Sequence, residues 1–262
     1  MRRLALPVYL PTLLSAIAQN AVQILLPLYA LKVGGGPAMV AALVGLRGVG
    51  TMLSDLPAGL MVAPQINGFN AALNDRPAYD PKGAKKLLAD AGYPDGFEVT
   101  MDCPNNRYVN DERICQASAS MLAKIGIKVT LLAQPKSKYF GKVLAQNNYD
   151  TSFFLLGWTP STFDSHNPIS SLMDCRGGPD KLGAFNLGGY CNPRINELAA
   201  SIQSETNQKK RQNMIDEAFK IHKDEVGHIP LHQQPLSWGI SEKVNLIQRP
   251  DNVLDLRYVN VN

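Results

Sequence analysis

Catalytic signatures, paired-cysteine metal motifs and blocks of like charge are all missing from this chain of 262 residues. No Gly-x-Ser-x-Gly, His-Glu-x-x-His or P-loop pattern occurs, so nothing in it signals an enzyme. None of the four cysteines (Cys103, Cys115, Cys175, Cys191) sits in a Cys-x-x-Cys pair, which argues against a zinc ribbon or a thioredoxin-type site. No Lys/Arg block with interleaved aromatics appears, so nucleic acid is excluded as a partner class. Internal repeats and low-complexity tracts are absent too. No metal or cofactor is expected.

What charge there is lies unevenly. Residues 1–62 hold Arg2, Arg3, Lys32 and Arg47 against Asp55 alone, while the other 200 residues are nearly neutral. The pI of 8.8 therefore reports a basic, apolar N-terminus and not a basic binding face. Leu4 to Leu31 carries no charged residue, longer than the roughly 20 residues a helix needs to span a bilayer. Arg2 and Arg3 hold its start in the cytosol. Gly34-Gly35-Gly36-Pro37 breaks the run, and a second apolar stretch, Ala38 to Val62, contains Arg47 and Asp55. Its large apolar side chains contribute about −5 kcal/mol to insertion and two charges at about +3 kcal/mol each oppose it, a near balance. The expectation is a transmembrane helical hairpin over 1–62, whose second helix returns the rest of the chain to the cytosolic side. A cleaved secretory signal, with Ala16-Ile17-Ala18 as the cleavage site, is the competing reading, opposed by the apolar continuation from Ala21 to Val33.

From residue 63 the pattern is that of an α/β lobe. Asp80-Pro81 opens a helix with Ala84, Leu87, Leu88 and Ala91 on its apolar face, closed by Gly92. A strand is expected over Phe97 to Met101, a helix from Asn110 to Gly126, and a strand over Ile127 to Leu132. Pro135 to Gln146 reads as helix and Thr151 to Leu156 as a buried strand. Helices over Pro193 to Glu205 and Gln208 to Glu225 follow, the second with Met214, Ile215, Ala218, Phe219 and Ile221 inward. Ile229 to Gln233 and Leu236 to Ile240 read as closing strands. The alternation points to a layered α/β structure.

Two family resemblances sit on these stretches. Arg2 to Asp55, with Gly48-Val49-Gly50 through Pro57-Ala58-Gly59, looks like the first two helices of a major facilitator transporter, though no further span follows. The stronger one covers about residues 58–262. Tyr79-Asp80-Pro81, Ala84-Lys85-Lys86-Leu87-Leu88 and Ala91-Gly92-Tyr93-Pro94-Asp95-Gly96-Phe97 come first. Leu122-Ala123-Lys124-Ile125-Gly126-Ile127, Gly157-Trp158 and Ile229-Pro230-Leu231-His232-Gln233 then follow in order. Together they resemble the family 5 extracellular solute-binding proteins of bacterial ABC importers, the dipeptide and oligopeptide receptors.

That resemblance implies a type II periplasmic binding protein, of which 63–262 would be the C-terminal lobe and an incomplete receptor. It implies a peptide or peptide-like ligand, an ABC permease as partner and a periplasmic location. A membrane-inserted remnant without ligand is the rival reading, and one lobe alone is expected to bind peptides weakly or not at all. Gly157-Trp158 ends a strand, where ligands of open α/β sheets gather. Dipeptide-type members carry an Asp three residues after this Trp; Ser161 stands there instead, with Asp164 near enough to substitute or else capping a turn. Arg107 lies in a loop where relatives hold an Arg for the peptide carboxylate, a task suited to a bidentate guanidinium. The ligand-binding candidates are thus Trp158, Ser161, Asp164 and Arg107. Relatives also imply a disulfide between Cys175 and Cys191, while Cys103 and Cys115, one on a strand and one on a helix, stay unassigned. His228 and His232 fall on one face if their segment is a strand, and without acids or cysteines at ligand spacing they read as structural.

Overall fold

A computed structural model of the chain describes residues 56–177, 182–234, 240–247, 249, 251 and 253–261. The facilitator-like stretch, the signal-peptide reading and most of the expected hairpin fall on residues 1–55, outside the described residues. Among the described residues no helix is long and apolar enough to cross a membrane. The one described part of the second expected span, 56–62, is not helical: a two-residue strand, Leu56–Pro57, leads into bends. Ala58, Leu60 and Val62 are buried, and Leu60 and Val62 belong to the lobe's own core, so that core starts before residue 63.

Asp80 accepts from the Lys82 and Gly83 amides and Pro81 takes the first helical position, which starts α1 (Pro81–Asp90). Its predicted apolar face has no cover: no residue of α1 is buried, and Leu87 is 71% exposed. Next come β1 (Glu98–Pro104), α2 (Asp111–Ala123), β2 (Lys128–Gln134) and α3 (Lys136–Val143). β1 and β2 pair in parallel, Glu98 opposite Lys128 through Pro104 opposite Gln134.

The predicted strand 151–156 forms only a parallel bridge, Phe154 to Asp102, but it adds a third course to the sheet beside β1. Its side chains alternate between two cores, as a strand's must. Phe153 and Leu155 pack with Met101, Cys103 and Cys115 on the α2 face, while Phe154 and Leu156 pack with Tyr139 and Val143 of α3 on the other. The spatial order is β2, β1, 153–156, with α2 and α3 on opposite faces. The course of the chain therefore reverses between β1 and 153–156.

A separate helical core follows. α4 (Pro193–Ser204) is capped by Asn192 and α5 (Gln208–Asp224) by Asn207. Ile195, Leu198, Ala199 and Ile202 interlock with Ile215, Ala218 and Phe219, over Ile169 and Met173. At the C-terminus β3 (Val244–Leu246) and β4 (Val259–Val261) form an antiparallel pair. Of the two predicted closing strands, the first shrinks to His232–Gln233, and the second lies outside the described residues except for Ile240.

Both cysteine pairs are bonded. Cys175 and Cys191 join with Cα atoms 4.6 Å apart, as relatives implied. Cys103 and Cys115 also join, at 6.5 Å, because α2 folds straight back over β1 and sets both side chains in one core.

Candidate functional site

Parallel sheets offer a crevice where the strand order reverses, beyond the carboxyl ends of the two strands concerned. Here these ends are Pro104, which leads to Arg107, and Leu156, which leads to Trp158. One contact ties the two loops together. The Tyr108 hydroxyl donates to the Gly157 carbonyl at 3.2 Å, and a Cβ on residue 157 would lie 2.7 Å from the Tyr108 ring. Gly157 is a glycine because that ring needs the space. Burial pushes the Tyr108 phenol up, so it stays a neutral donor.

The first loop is shaped by Asp111, a buried carboxylate. Its Oδ2 accepts from the Arg107 amide at 2.8 Å and the Tyr108 amide at 3.1 Å, and its Oδ1 from the Glu112 amide. The Arg107 side chain is exposed and lies over the Tyr108 ring at 4.8 Å. Among the described residues no carboxylate pairs with it. Asn106 fastens the same loop to the start of α3 by accepting from the Lys136 amide at 2.7 Å.

In the second loop Trp158 is half-buried. Its indole donates to Asn167 Oδ1 at 2.8 Å and packs on Phe185 at 4.9 Å between centroids. Both partners fix the plane of the ring and leave part of it open. Ser161 is exposed within the turn 160–163, where the Phe163 amide donates to the Pro160 carbonyl. Phe163 has φ of 54°, a left-handed conformation costly for an aromatic residue.

Asp164 is differently employed. Arg211 grips it with both terminal nitrogens, at 2.9 and 2.8 Å, while Asn67 Nδ2 and the His166 amide donate at 2.9 and 2.8 Å. Burial pushes its carboxyl up, but Arg211, the His166 amide and Asn67 outweigh this and hold it below its ordinary range. The contact to the His166 amide is the turn-capping alternative raised from the sequence. The carboxylate has four donors already. Arg107, Tyr108, Gly157 and Trp158 form one neighbourhood; Asp164 anchors the far end of the Trp158 loop to α5.

Tyr108, Asn67 and Arg211 have no local sequence signal, since Asn67 and Arg211 lie 97 and 47 residues from Asp164. The His228 and His232 expectation needs correcting. Residues 226–231 are not a strand, and His228 bonds instead to His222 on α5. Among the described residues no group of three His, Cys, Asp or Glu is placed to hold a metal.

Known proteins resemble this chain in sequence and in fold. The family model "Bacterial extracellular solute-binding proteins, family 5 Middle" matches residues 54–180. The "Glutathione-binding protein GsiB" of Salmonella choleraesuis is 31% identical over 156 residues, which cover 58% of this chain and 30% of that protein. Among solved structures, "HbpA2 from Haemophilus parasuis" matches with a TM-score of 0.66 at 20% identity, over 81% of this chain and 41% of that one. A dipeptide binding protein from Pseudoalteromonas sp. SM9913, in complex with Met-Leu, follows at 0.65 and 22%, with the same coverage. At these identities the structures speak for the fold alone. The chain spans less than half the length of the relatives it matches. Residues 54–180, which hold the sheet and both loops of the candidate site, are thus the part of the chain that matches family 5 of the bacterial extracellular solute-binding proteins.

Proposed function

We propose that residues 57–262 form a ligand-bearing lobe of the substrate-binding component of an ABC importer for peptides or related solutes. The observation that supports this reading is the junction of Tyr108 with Gly157, which ties the loop of Arg107 to the loop of Trp158 at the sheet's reversal point. Arg107 offers an exposed guanidinium to a ligand carboxylate, Trp158 an apolar wall, and Ser161 a hydroxyl. Asp164 acts through the loop it holds. Its donors leave it little capacity for a peptide ammonium, so the ligand is read chiefly through an anionic end. Relatives described as glutathione-binding and a neighbour holding Met-Leu support small peptides as the ligand class. In this reading the lobe works outside the cytoplasmic membrane and delivers its solute to a permease.

With Arg107 exposed and Trp158 partly open, the site leaves much of a ligand in water, so a Kd on the order of 1 mM, or about −4 kcal/mol, is expected. The test titrates the full chain with glutathione and with Met-Leu, reading Trp fluorescence and heat. Saturable millimolar binding that Trp158→Ala and Arg107→Ala each weaken about tenfold supports the assignment. No binding of either probe, or binding indifferent to both substitutions, refutes it.

A further inference from the structure

Away from the candidate site, buried His222 and half-buried His228 face each other. His222 ends the inner face of α5, and His228 follows a tight bend in which Val226 has φ of 51°. His222 Nε2 and His228 Nδ1 are 2.9 Å apart, with the rings stacked at 25° and 5.0 Å between centroids. Only one proton fits between these two nitrogens. The outer nitrogen, His228 Nε2, is buried and has no hydrogen-bond partner. Gly227 is the hinge of the bend, and a Cβ there would lie 2.6 Å from the His222 ring.

Among the described residues the surroundings offer no counter-charge. Tyr190 meets His222 edge-on at 5.0 Å, but its hydroxyl donates to Glu225, whose other oxygen accepts from Asn192. Lys223 is turned outward to Asp75. On the loop 175–191, Arg176 lies over the Tyr149 ring at 4.2 Å. The far side of His228 is Phe154, edge-on at 6.3 Å. A proton added at His228 Nε2 would therefore be buried with no acceptor among the described residues, and burial pushes His222 down to about 3 and His228 down to about 4.

Phe154 sits on the third course of the sheet, beside β1, which runs through Leu156 into Gly157 and Trp158. We propose that the His222–His228 pair is an acid-operated latch that holds the end of α5 against the strand carrying the candidate site. Neutral rings close it. Protonation of both rings sets two protons between the facing nitrogens, which separates the rings, frees the 226–228 bend and loosens the course that positions Trp158. The latch does not depend on what the site binds.

Hydrogen exchange on the full chain tests this, with rates corrected for intrinsic pH dependence. Between about pH 7 and about pH 4.5, protection at 153–158 and 222–228 should fall about tenfold or more, ahead of the α4 core. The double variant His222→Gln/His228→Gln keeps a neutral hydrogen-bonding pair and should show no such fall. Unchanged wild-type protection, or the same acid response in the double variant, overturns the proposal. If the variant does not fold, histidine NMR of the wild-type chain decides. Proton uptake by the pair coinciding with lost protection upholds the latch, and uptake without it sinks it.

Discussion

Asp164 shows how one carboxylate is committed to architecture. A partly buried, bidentate Arg211 pair with two further donors is stronger than an exposed ion pair, whose median contribution is about 0–1 kcal/mol. Asp164→Asn keeps the shape but removes the charge, and should destabilise the chain by about 1–3 kcal/mol in urea unfolding. The sign with pH follows from the lowered acidity: the folded form holds Asp164 ionised below its ordinary range. Its stabilisation is present above about pH 4 and is lost as pH falls through the depressed value. The wild-type chain should lose its advantage over Asp164→Asn in that acid window. A variant as stable as wild type at about pH 7 would show the pair to be idle. The sequence offered capping or ligand binding for this residue. Arg211 was out of view because a helix pattern says which side faces inward but not which distant side chain it meets.

At the scale of elements, periodicity located helices well and partnerships poorly. α4 and α5 end within a residue of their expected limits, since Asn-Pro and Asn caps and an apolar stripe mark them in the sequence. α1 has an equally clear stripe and no burial, because amphipathicity reports a preference and not the presence of a neighbour. The run 151–156 looked like a full strand and makes one bridge. Its alternate residues serve two cores nonetheless, so the side-chain pattern survived where the ladder did not. Helix α2 on β1 was the missed pairing: spacing alone did not reveal that Cys103 and Cys115 share a core. The loop 175–191 depends on its own crosslink, since Asn186, Tyr190 and Asn192 reach their partners only when its ends meet. Replacing Cys175 and Cys191 by Ser should lower stability by about 3 kcal/mol in the chain-entropy account. An unchanged denaturation midpoint under oxidising conditions would contradict this.

On the scale of the whole molecule, much apolar surface is uncovered among the described residues. Leu87 of α1, with Tyr79 before it, and Ile240, Ile247, Leu256 and Val261 near the C-terminus are all more than half exposed. Large apolar side chains this exposed offer sites to hydrophobic probes. Anilinonaphthalene dyes should bind the native protein strongly, and Leu256→Lys with Val261→Lys should cut that signal by roughly half while leaving the α4–α5 core intact. Dye binding no greater than that of an ordinary folded domain would refute it. The disulfides are local, closing over 12 and 16 residues of chain. The crosslinks are therefore consecutive, first cysteine to second and third to fourth. A chain threaded N-terminus first into an oxidising compartment presents Cys115 while Cys103 is its sole available partner, and Cys175 and Cys191 arrive as a matched couple. Correct pairing is the order of arrival, and the chain needs no disulfide shuffling to reach it.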